Sequence, residues 1–258
     1  MITSTSNPRI KNLIQLQKKA KARKEQDVFV AEGIKMYREA PRELVEQIYI
    51  SKSFSEKPEA AELLGCRNLE IVEDRVFQAA ADTKTPQGIL AVVRRQHYSL
   101  EQVLGGESPL LMILENLQDP GNLGTILRTG EGAGVTGVIM TAETVDIYNP
   151  KTIRSTMGSV YRMPFCYVSD LGAAAEEMKR RGIALYAAHL KGKDSYDKPD
   201  YRWGCGFLVG NEGNGLTEEA AALADSYIRI PMCGHVESLN AAVASAVLMY
   251  EALRQRRL

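Results

Sequence analysis

The 258-residue sequence lacks the features that mark several large classes of protein. It contains no run of about 18 apolar residues that could span a membrane as a helix, and its first residues do not resemble a secretory signal. It also lacks internal repeats of the length that builds solenoids. Its hydrophobic content of 45% and charged content of 25% are ordinary for a globular protein. We therefore expect a cytoplasmic globular protein.

Clustered metal ligands are missing as well. The four cysteines are scattered without a CxxC pair, and the segment Cys233-Gly-His235 has no partner cluster of cysteine or histidine. A zinc site needs three or four protein ligands at characteristic spacing, so we expect no metal. Without paired spacing we expect reduced thiols, partly buried at Cys166, Cys205 and Cys233 because these residues lie in or beside apolar runs.

Net charge is also absent, which at first argues against a polyanionic partner. The average hides a local excess, because residues 1–24 contain no acidic residue. Their basic residues are Arg9, Lys11, Lys18, Lys19, Lys21, Arg23 and Lys24. Such a basic arm is either a solvated helix face or a surface that contacts phosphates, and both interpretations stay open here.

What is present is an alternation of helical and strand-like patterns in two series. The first series predicts helices over 8–24, 34–44, 58–64 and 74–80, and strands at 27–33, 47–51, 69–73 and 85–95. The stretch 99–109 has the glycine, serine and proline content of a boundary. We therefore predict an N-terminal α/β domain over 1–104 and a second domain over 105–258.

The second series predicts a parallel sheet with helices on both faces, because its strands are continuously apolar. The predicted strands are 110–116, 137–141, 165–169, 183–188, 206–210 and 227–231. The predicted helices are 122–133, 151–158, 172–181, 216–223 and 239–256. Ligands of such sheets bind beyond the carboxyl ends of the strands, so the polar loops that follow strands are the candidate site.

The first such loop is ENLQDPGNLG, in which Asn122 suits the cap of the helix that follows. Arg128 lies off the apolar stripe of that helix, beside Glu131 at helical spacing. Arg128 therefore either forms a surface ion pair with Glu131 or presents its guanidinium to a phosphate or carboxylate. The nearby GxGxxG pattern at 132–137 closes a helix instead of opening one, so we reject it as a dinucleotide site.

The second and third loops are GNEGNGL and IPMCGHVESLN. The glycines around Glu212 predict a backbone cradle for a small ligand, although Glu212 could instead cap a helix or pair with a cation. Ser238 and Asn240 bracket the start of the last helix, and either can cap it. That helix is rich in alanine, which permits close packing, and we expect Val243 and Tyr250 on its buried face.

Taken in order, NLQDPGNLGTILRTGEGAG, FLVGNEGNGL and IPMCGHVESLNAAVASAVLMYE resemble the three motifs of the SpoU (TrmH-type) RNA ribose 2′-O-methyltransferases, of the SPOUT class. The segment RIKNLIQLQKKAKARKEQDVFVAEG resembles an L30e/L7Ae-like substrate-binding domain. This resemblance implies an L30e-like α/β domain followed by a parallel-sheet SPOUT domain with a deep trefoil knot. It also implies S-adenosylmethionine as the cofactor and a homodimer packed through the knot and the last helix.

The resemblance assigns site residues by their motif positions. It places Gly210, Ile230 and Leu239 in the S-adenosylmethionine pocket, with Met232 and Leu216 nearby. It places Arg128, Asn122, Glu212, Ser238 and Asn240 in the catalytic crevice. Ala242 departs from the motif, which often has a serine there. Because a guanidinium with a pKa above about 12 is a poor base, we predict that Arg128 positions the RNA phosphate and 2′-hydroxyl.

Several alternatives remain at this stage. The expected substrate is 23S-type ribosomal RNA, with transfer RNA as the second choice. A non-catalytic RNA-binding protein on the same fold is the competing class, but the five polar motif residues and the glycine-rich cradle argue against it. A nucleotide-dependent oxidoreductase fails on the misplaced GxGxxG pattern.

Overall fold

The structure of the protein is a computed structural model, which describes residues 1–257. The helices are α1 (Pro8–Lys18), α2 (Ala20–Gln26), α3 (Ile34–Glu39), α4 (Lys52–Ser55), α5 (Asp74–Ala80), α6 (Leu100–Val103), α7 (Pro120–Ala133), α8 (Pro150–Thr156), α9 (Leu171–Arg180), α10 (Glu218–Ala222) and α11 (Ala241–Arg256). The strands are β1 (Val28–Glu32), β2 (Val45–Ser51), β3 (Leu69–Val72), β4 (Ile89–Arg94), β5 (Leu110–Leu114), β6 (Gly137–Thr141), β7 (Phe165–Val168), β8 (Ala184–Ala188), β9 (Asp194–Ser195), β10 (Cys205–Val209) and β11 (Ser226–Arg229). Short 3-10 helices cover Arg42–Leu44, Pro58–Ala60 and Ser159–Tyr161.

The backbone forms two compact units. The first contains residues 1–96 together with 146–161, and the second contains 97–145 and the described residues from 162 onward. Residues 146–161 follow β6 in the chain, yet they pack in the first unit. This grouping concerns packing, so the domain boundary expected between residues 104 and 105 stays a prediction.

The first unit is built on a mixed sheet with the strand order β1-β4-β2-β3. Strand β4 runs antiparallel to β1 and β2, whereas β2 and β3 are parallel. Helix α1 starts at Pro8 because the Asn7 side chain accepts the Arg9 N–H, at 2.9 Å. Its apolar stripe of Ile10, Leu13 and Leu16 is buried in the core of this unit.

The basic arm differs from its expected form in two ways. The predicted helix over 8–24 is broken at Lys19, where the backbone is extended. Arg23 is buried, with only 3% of its surface exposed, and it donates hydrogen bonds to Leu16 O at 2.8 Å and to Asp146 Oδ2 at 2.7 Å. Arg23 is therefore a structural residue, while the other six basic residues of the arm are exposed.

The second unit is built on a seven-stranded sheet with the order β7-β6-β5-β10-β8-β11-β9, in which every pair is parallel. One face packs on α6, α9 and α10 through strand residues such as Leu111 and Ile113. Alternate residues such as Met112 and Leu114 point to the other face and are also fully buried. The prediction of a parallel sheet covered on both faces is confirmed.

Helices α7 and α11 pack directly on each other in this unit. A Cβ at Gly130 of α7 would lie 3.5 Å from the sulfur of Met249 on α11, which is an ordinary van der Waals distance. The expected buried face of α11 was wrong at two positions, because Val243 and Tyr250 are 49% and 51% exposed. The helix instead buries Ala241, Ala242, Ser245, Leu248, Met249 and Ala252.

The rejected GxGxxG pattern has a structural explanation. Gly134 adopts a left-handed conformation, with φ of 78°, and ends α7. Gly137 begins β6, where a Cβ would lie 2.6 Å from Cγ1 of Val103. These glycines terminate a helix and admit a close packing contact, which confirms that the pattern is no dinucleotide loop.

Candidate active site

A cavity of about 270 Å³ lies at the carboxyl ends of β8, β10 and β11. This is the edge of a parallel sheet at which ligands bind, as the sequence predicts. The five residues expected at the cofactor all line it, and they are Gly210, Leu216, Ile230, Met232 and Leu239. Glu212 and Ser238 reach the same cavity. The second and third motif loops therefore form one continuous wall.

The second motif loop folds tightly back on the end of β10. The Asn211 N–H donates to Gly215 O at 3.0 Å, and the Gly215 N–H donates to Asn211 O at 2.9 Å. A Cβ at Gly210 would lie only 2.1 Å from the carbonyl carbon of Gly215. Gly210 is thus required by the close approach of the backbone, which leaves backbone groups to face the cavity.

A chain of hydrogen bonds joins the three motif loops. The Asn122 Nδ2 group donates to Glu212 Oε1 at 3.0 Å, and the Asn240 Nδ2 group donates to Asn122 Oδ1 at 2.9 Å. The Asn240 Oδ1 atom also accepts the N–H groups of Ala242 and Val243, which makes Asn240 the cap of α11. We call Glu212, Asn122 and Asn240 the polar trio.

Glu212 is the anchor of the polar trio. Its carboxylate accepts the backbone N–H of Gln118 at 3.0 Å and that of Asp119 at 2.8 Å, besides the Asn122 amide. Burial on its own raises the pKa of Glu212, but these three hydrogen bonds together outweigh burial and hold the pKa below its usual value. Glu212 is therefore a carboxylate that fixes the loop before α7.

Arg128 lies on α7 and is exposed. The alternative of an ion pair with Glu131 finds no support, because Glu131 receives a two-pronged contact from Arg162. Among residues 1–257, Arg128 has no carboxylate or hydrogen-bonding partner, and it touches no member of the polar trio by a hydrogen bond. Its guanidinium is open to a ligand.

Most residues of the third loop are also exposed, whereas Ile230, Met232 and Leu239 are half-buried. The hydroxyl of Ser238 makes no hydrogen bond with the described part of the chain, so the capping role expected of Ser238 or Asn240 falls to Asn240 alone. Cys233 is exposed rather than partly buried, whereas Cys166 and Cys205 are buried as expected. No group of three or more potential ligands within residues 1–257 could hold a metal ion.

The sequence analysis did not identify one further loop of the cavity wall, which follows β8 and belongs to none of the three motifs. His189 and Leu190 follow β8 and line the cavity beside Ile230. The His189 Nδ1 atom accepts the Lys191 N–H at 3.0 Å, which fixes the imidazole at the turn. The signal was available, because this loop too follows a predicted strand at the same edge of the sheet. It contains none of the motif residues, so it was passed over.

Buried Glu115 was missed as well. It is 7% exposed, and its carboxylate accepts the Thr217 N–H at 2.8 Å and the Thr217 hydroxyl at 2.7 Å. It thereby ties the end of β5 to the segment after Leu216. A local sequence pattern could not predict this contact, because Glu115 and Thr217 are about one hundred positions apart in the chain.

The parallel sheet and its three polar loops are those of an RNA methyltransferase. Residues 109–250 match the family described as SpoU rRNA methylase, and residues 7–91 match the MRM3-like substrate binding domain. The chain belongs to the SpoU rRNA methylase family. This membership confirms the resemblance drawn from the three motifs, and the second match confirms a substrate-binding domain at the N-terminal side.

Relatives and solved structures agree with this assignment. The chain is 33% identical to the 23S rRNA (guanosine(2553)-2'-O)-methyltransferase RlmP of Bacillus subtilis, over 96% of this chain and 97% of that protein. It is 34% identical to the 23S rRNA (guanosine-2'-O-)-methyltransferase RlmB of Bordetella pertussis, over 85% of this chain and 93% of that protein.

None of the helices within residues 1–257 has the length and apolar character of a membrane span.

Two solved structures are similar over nearly the whole chain. The SpoU methyltransferase AviRb of Streptomyces viridochromogenes, in complex with AdoMet, has a TM-score of 0.88 and 27% identity, covering 97% of this chain and 98% of that one. The AdoMet-bound rRNA methyltransferase of Sinorhizobium meliloti has a TM-score of 0.85 and 31% identity, covering 98% and 97%. Both confirm the expected α/β fold.

Proposed function

We propose that this chain transfers a methyl group from S-adenosylmethionine to a ribose 2′-hydroxyl of ribosomal RNA, with 23S-type RNA as its substrate. The observation that carries the proposal is that the second unit contains both a cavity suited to the cofactor and, connected to it, the helix that carries Arg128. A cavity walled by the second and third motif loops is tied, through the polar trio, to the start of the helix that carries Arg128. The relatives named as 23S rRNA 2'-O-methyltransferases support the same substrate class.

The residues of the cavity fit the cofactor. Gly210, Ile230 and Leu239 would hold it chiefly through backbone groups, with Met232 and Leu216 supplying apolar contacts. The loop has no room for a side chain at Gly210, so the backbone itself forms that wall. When bound, S-adenosylmethionine supplies a methyl group already activated by its positively charged sulfur.

Arg128 is the residue that positions the RNA. Its exposed guanidinium has five N–H donors and no protein acceptor within the described residues, so it can form a two-pronged contact with a phosphate and approach the 2′-hydroxyl. A guanidinium is a poor general base, so the hydroxyl proton leaves to the substrate phosphate or to water.

The polar trio fixes the geometry around Arg128 from a distance. Glu212 holds the turn before α7, Asn122 lies in the first turn of α7, and Asn240 caps α11. Together they set the start of α7 against the cavity wall, although none of them bonds to Arg128. Ser238 lies on the cavity wall, and its hydroxyl, which makes no hydrogen bond within residues 1–257, is available to the substrate ribose.

The exposed basic residues of the arm contact phosphates of the RNA backbone. The lysines of the arm release counterions from phosphates, so binding weakens steeply with salt. Replacing Lys18, Lys19 and Lys21 by glutamine should lower RNA affinity and reduce the slope of log affinity against log salt by about 2 to 3. Unchanged affinity and slope would overturn this role. These substitutions are preferable to removing residues 1–98, because residues 146–161 pack on that unit.

The active form is a homodimer that acts in the cytoplasm. The side of α11 that carries Val243, Val247 and Tyr250 is apolar and incompletely buried in one copy of the chain, which supports a second copy packing there. The deep trefoil knot expected from the family motifs stays part of this proposal. Sedimentation of the wild type and of Val243→Lys tests the dimer, and a monomeric wild type would refute it.

One experiment tests the function as a whole. Calorimetry should show binding of S-adenosylmethionine and no binding of NAD, and incubation with ribosomal RNA should then yield a 2′-O-methyl group at one mapped nucleotide. Modification of transfer RNA alone would move the substrate to the second choice. Binding of RNA without any methyl transfer would leave a non-catalytic RNA-binding protein and refute the proposal.

A further inference from the structure

A second cavity, of about 250 Å³, lies in the first unit, apart from every residue assigned above. Its apolar floor comes from Val45 and Ile48 of β2. Its polar rim comes from the end of α3, the 3-10 helix Arg42–Leu44 and the loop that leads into β3. Its volume is just below the range of about 300–1,000 Å³ typical of small-molecule pockets, so it suits a single ring system.

Arg42 supplies hydrogen-bond donors at this cavity, of which one is taken by the Tyr37 oxygen. Its guanidinium carbon lies 4.5 Å from the centre of the Tyr37 ring, in a stacked contact that fixes its plane. Within residues 1–257, its N–H groups bond to no carboxylate and no backbone carbonyl. Burial raises the pKa of Tyr37, although Arg42 partly lowers it, so the Tyr37 hydroxyl remains protonated. The Tyr37 oxygen accepts one N–H group of Arg42, and the remaining donors of the fork have no carboxylate or backbone acceptor within residues 1–257.

Acceptors lie on the same rim. Asn68 Nδ2 donates to Val45 O at 3.2 Å and to Glu46 O at 3.1 Å, which orients the amide and leaves Asn68 Oδ1 without a donor among residues 1–257. Glu62 Oε1 accepts from Arg38 Nε at 2.8 Å, and Glu62 Oε2 has no donor in the described chain. The cavity thus offers a donor fork together with free acceptors.

This combination favours a base over a phosphate. A phosphate has only acceptors, so it would leave Glu62 Oε2 and Asn68 Oδ1 without donors, and Arg38 only partly offsets the charge of Glu62. A guanine base has two acceptors on one edge, O6 and N7, which match an arginine fork, and it has N–H donors at N1 and N2. Unpaired bases of RNA are commonly recognised by hydrogen bonds to their edges.

We propose that this cavity binds an unpaired guanine of the substrate RNA and thereby contributes to the choice of substrate. This inference rests on the proposed function for its RNA partner, but it concerns binding alone and is tested without methyl transfer. Arg42 would take the O6 and N7 edge, while Glu62 and Asn68 would accept from the opposite edge. The first unit would then read a base in addition to gripping the backbone.

The test is fluorescence anisotropy with four RNA pentamers of equal charge, UUGUU, UUAUU, UUCUU and UUUUU, and the full-length protein. The wild type should bind UUGUU about fivefold or more tightly than UUUUU. Arg42→Lys keeps the charge and loses the fork, so the preference should fall below about twofold while binding to UUUUU is unchanged. Glu62→Gln should weaken the same preference. Arg75→Lys, an exposed arginine of the same unit outside the cavity, is the matched control and should keep it.

Equal binding of the four pentamers by the wild type, or a guanine preference that survives Arg42→Lys, would overturn the inference. Guanosine 5′-monophosphate is a separate arm. If the wild type binds this nucleotide as tightly as UUGUU, and Arg42→Lys weakens the binding of both by the same factor, the ligand is a free nucleotide and the RNA assignment fails. Failure of the proposed function is distinguishable, since it would show as absent methyl transfer by the wild type whatever the pentamers do.

Discussion

At each end of the parallel sheet, one charged side chain forms several hydrogen bonds that hold neighbouring loops together, and the two side chains have opposite charge. At the carboxyl end, the Glu212 carboxylate gathers two backbone N–H groups and the Asn122 amide. At the amino end, the Arg256 guanidinium at the end of α11 gathers four backbone carbonyls. These carbonyls, with their distances, are Tyr201 O (2.9 Å), Ser108 O (2.8 Å), Pro109 O (3.2 Å) and Trp203 O (2.6 Å).

The ends differ in what surrounds the charged group. Next to Arg256, the side chains of Tyr201 and Cys205 are fully buried, and burial raises the pKa of the Cys205 thiol to about 11 even though Arg256 lowers it in part. Next to Glu212, the loops remain exposed around a cavity of about 270 Å³. One end is closed and contributes to stability, whereas the other stays open and is available for chemistry. Substitutions at the two ends should therefore affect different measurements.

The largest effect is expected at Arg128, at the open end. Arg128→Ala should reduce methyl transfer on the order of 10²–10³-fold, because a preorganised donor is lost from the reacting group. Arg128→Lys should be nearly as inactive, since it lacks the planar fork. Cofactor affinity by calorimetry and the melting temperature should stay unchanged, as the Arg128 side chain is exposed and makes no hydrogen bond or ion pair with residues 1–257. Arg257→Ala is the exposed control, and near-normal turnover of Arg128→Ala would refute the assignment.

The next effect is expected at the closed end. Arg256→Ala leaves four carbonyls without their donor, so the free energy of unfolding should fall by about 2–4 kcal/mol in urea titrations. Activity per folded molecule should be retained, which is the opposite of the Arg128 result. The free energy of unfolding of Arg256→Lys should lie between those of the wild type and of Arg256→Ala, because a single ammonium group cannot reach all four carbonyls. A loss of activity at unchanged stability would contradict the division between the ends.

A smaller effect is expected at the cavity wall. In Gly210→Ala the new Cβ would press on Gly215, so the loop must shift and cofactor affinity should fall about tenfold. Calorimetry with S-adenosylhomocysteine measures this directly. Gly213→Ala is the matched control in the same loop, since its Cβ would meet nothing closer than 3.5 Å. Equal affinities of the two variants would show that the loop is not a rigid wall.

The smallest effect concerns pH and Glu212. The folded-state pKa of Glu212 lies below its unfolded value of about 4.3, so its contribution to stability is complete above that value and is lost as pH falls through the folded pKa. Glu212→Gln should remove that part of the acid dependence of stability. Urea titrations at pH 7 and at pH 3 measure it, and an unchanged difference between the two pH values would contradict the role of Glu212 as an anchor.

The motif positions could be predicted because their chemistry is local. A polar loop after an apolar strand at 206–210 places Glu212 at the carboxyl edge of the sheet, and Asn240 precedes α11 as its cap. Asn122 was expected to cap α7, but Asp119 is the cap and Asn122 lies in the first turn of the helix. The hydrogen bonds between these residues could not be predicted, since Asn122 and Glu212 are ninety positions apart. For the same reason the sequence did not indicate Glu115, whose partner Thr217 is about one hundred positions away. His189 was missed for a different reason, since its loop follows a predicted strand but contains no motif residue.

Helix α11 shows where periodicity stops being informative. Its residues are so uniformly small or apolar that several faces could be the buried one, and the expected face was wrong at Val243 and Tyr250. Contact with α7 selected the face with Ala241, Ser245 and Met249. Likewise, charge counting grouped Arg23 with a basic arm that was either a solvated helix face or a phosphate-contacting surface, while packing against Asp146 made it structural.

The sequence by itself determined the alternation of strands and helices, the parallel sheet and the identity of the three loops, because these follow from hydrophobic period and from local turn and capping preferences. Only the tertiary structure decided which polar groups meet, which face of α11 is buried and which arginines remain free. Those outcomes depend on contacts between distant segments, where burial and unpaired hydrogen-bonding groups carry the free energy.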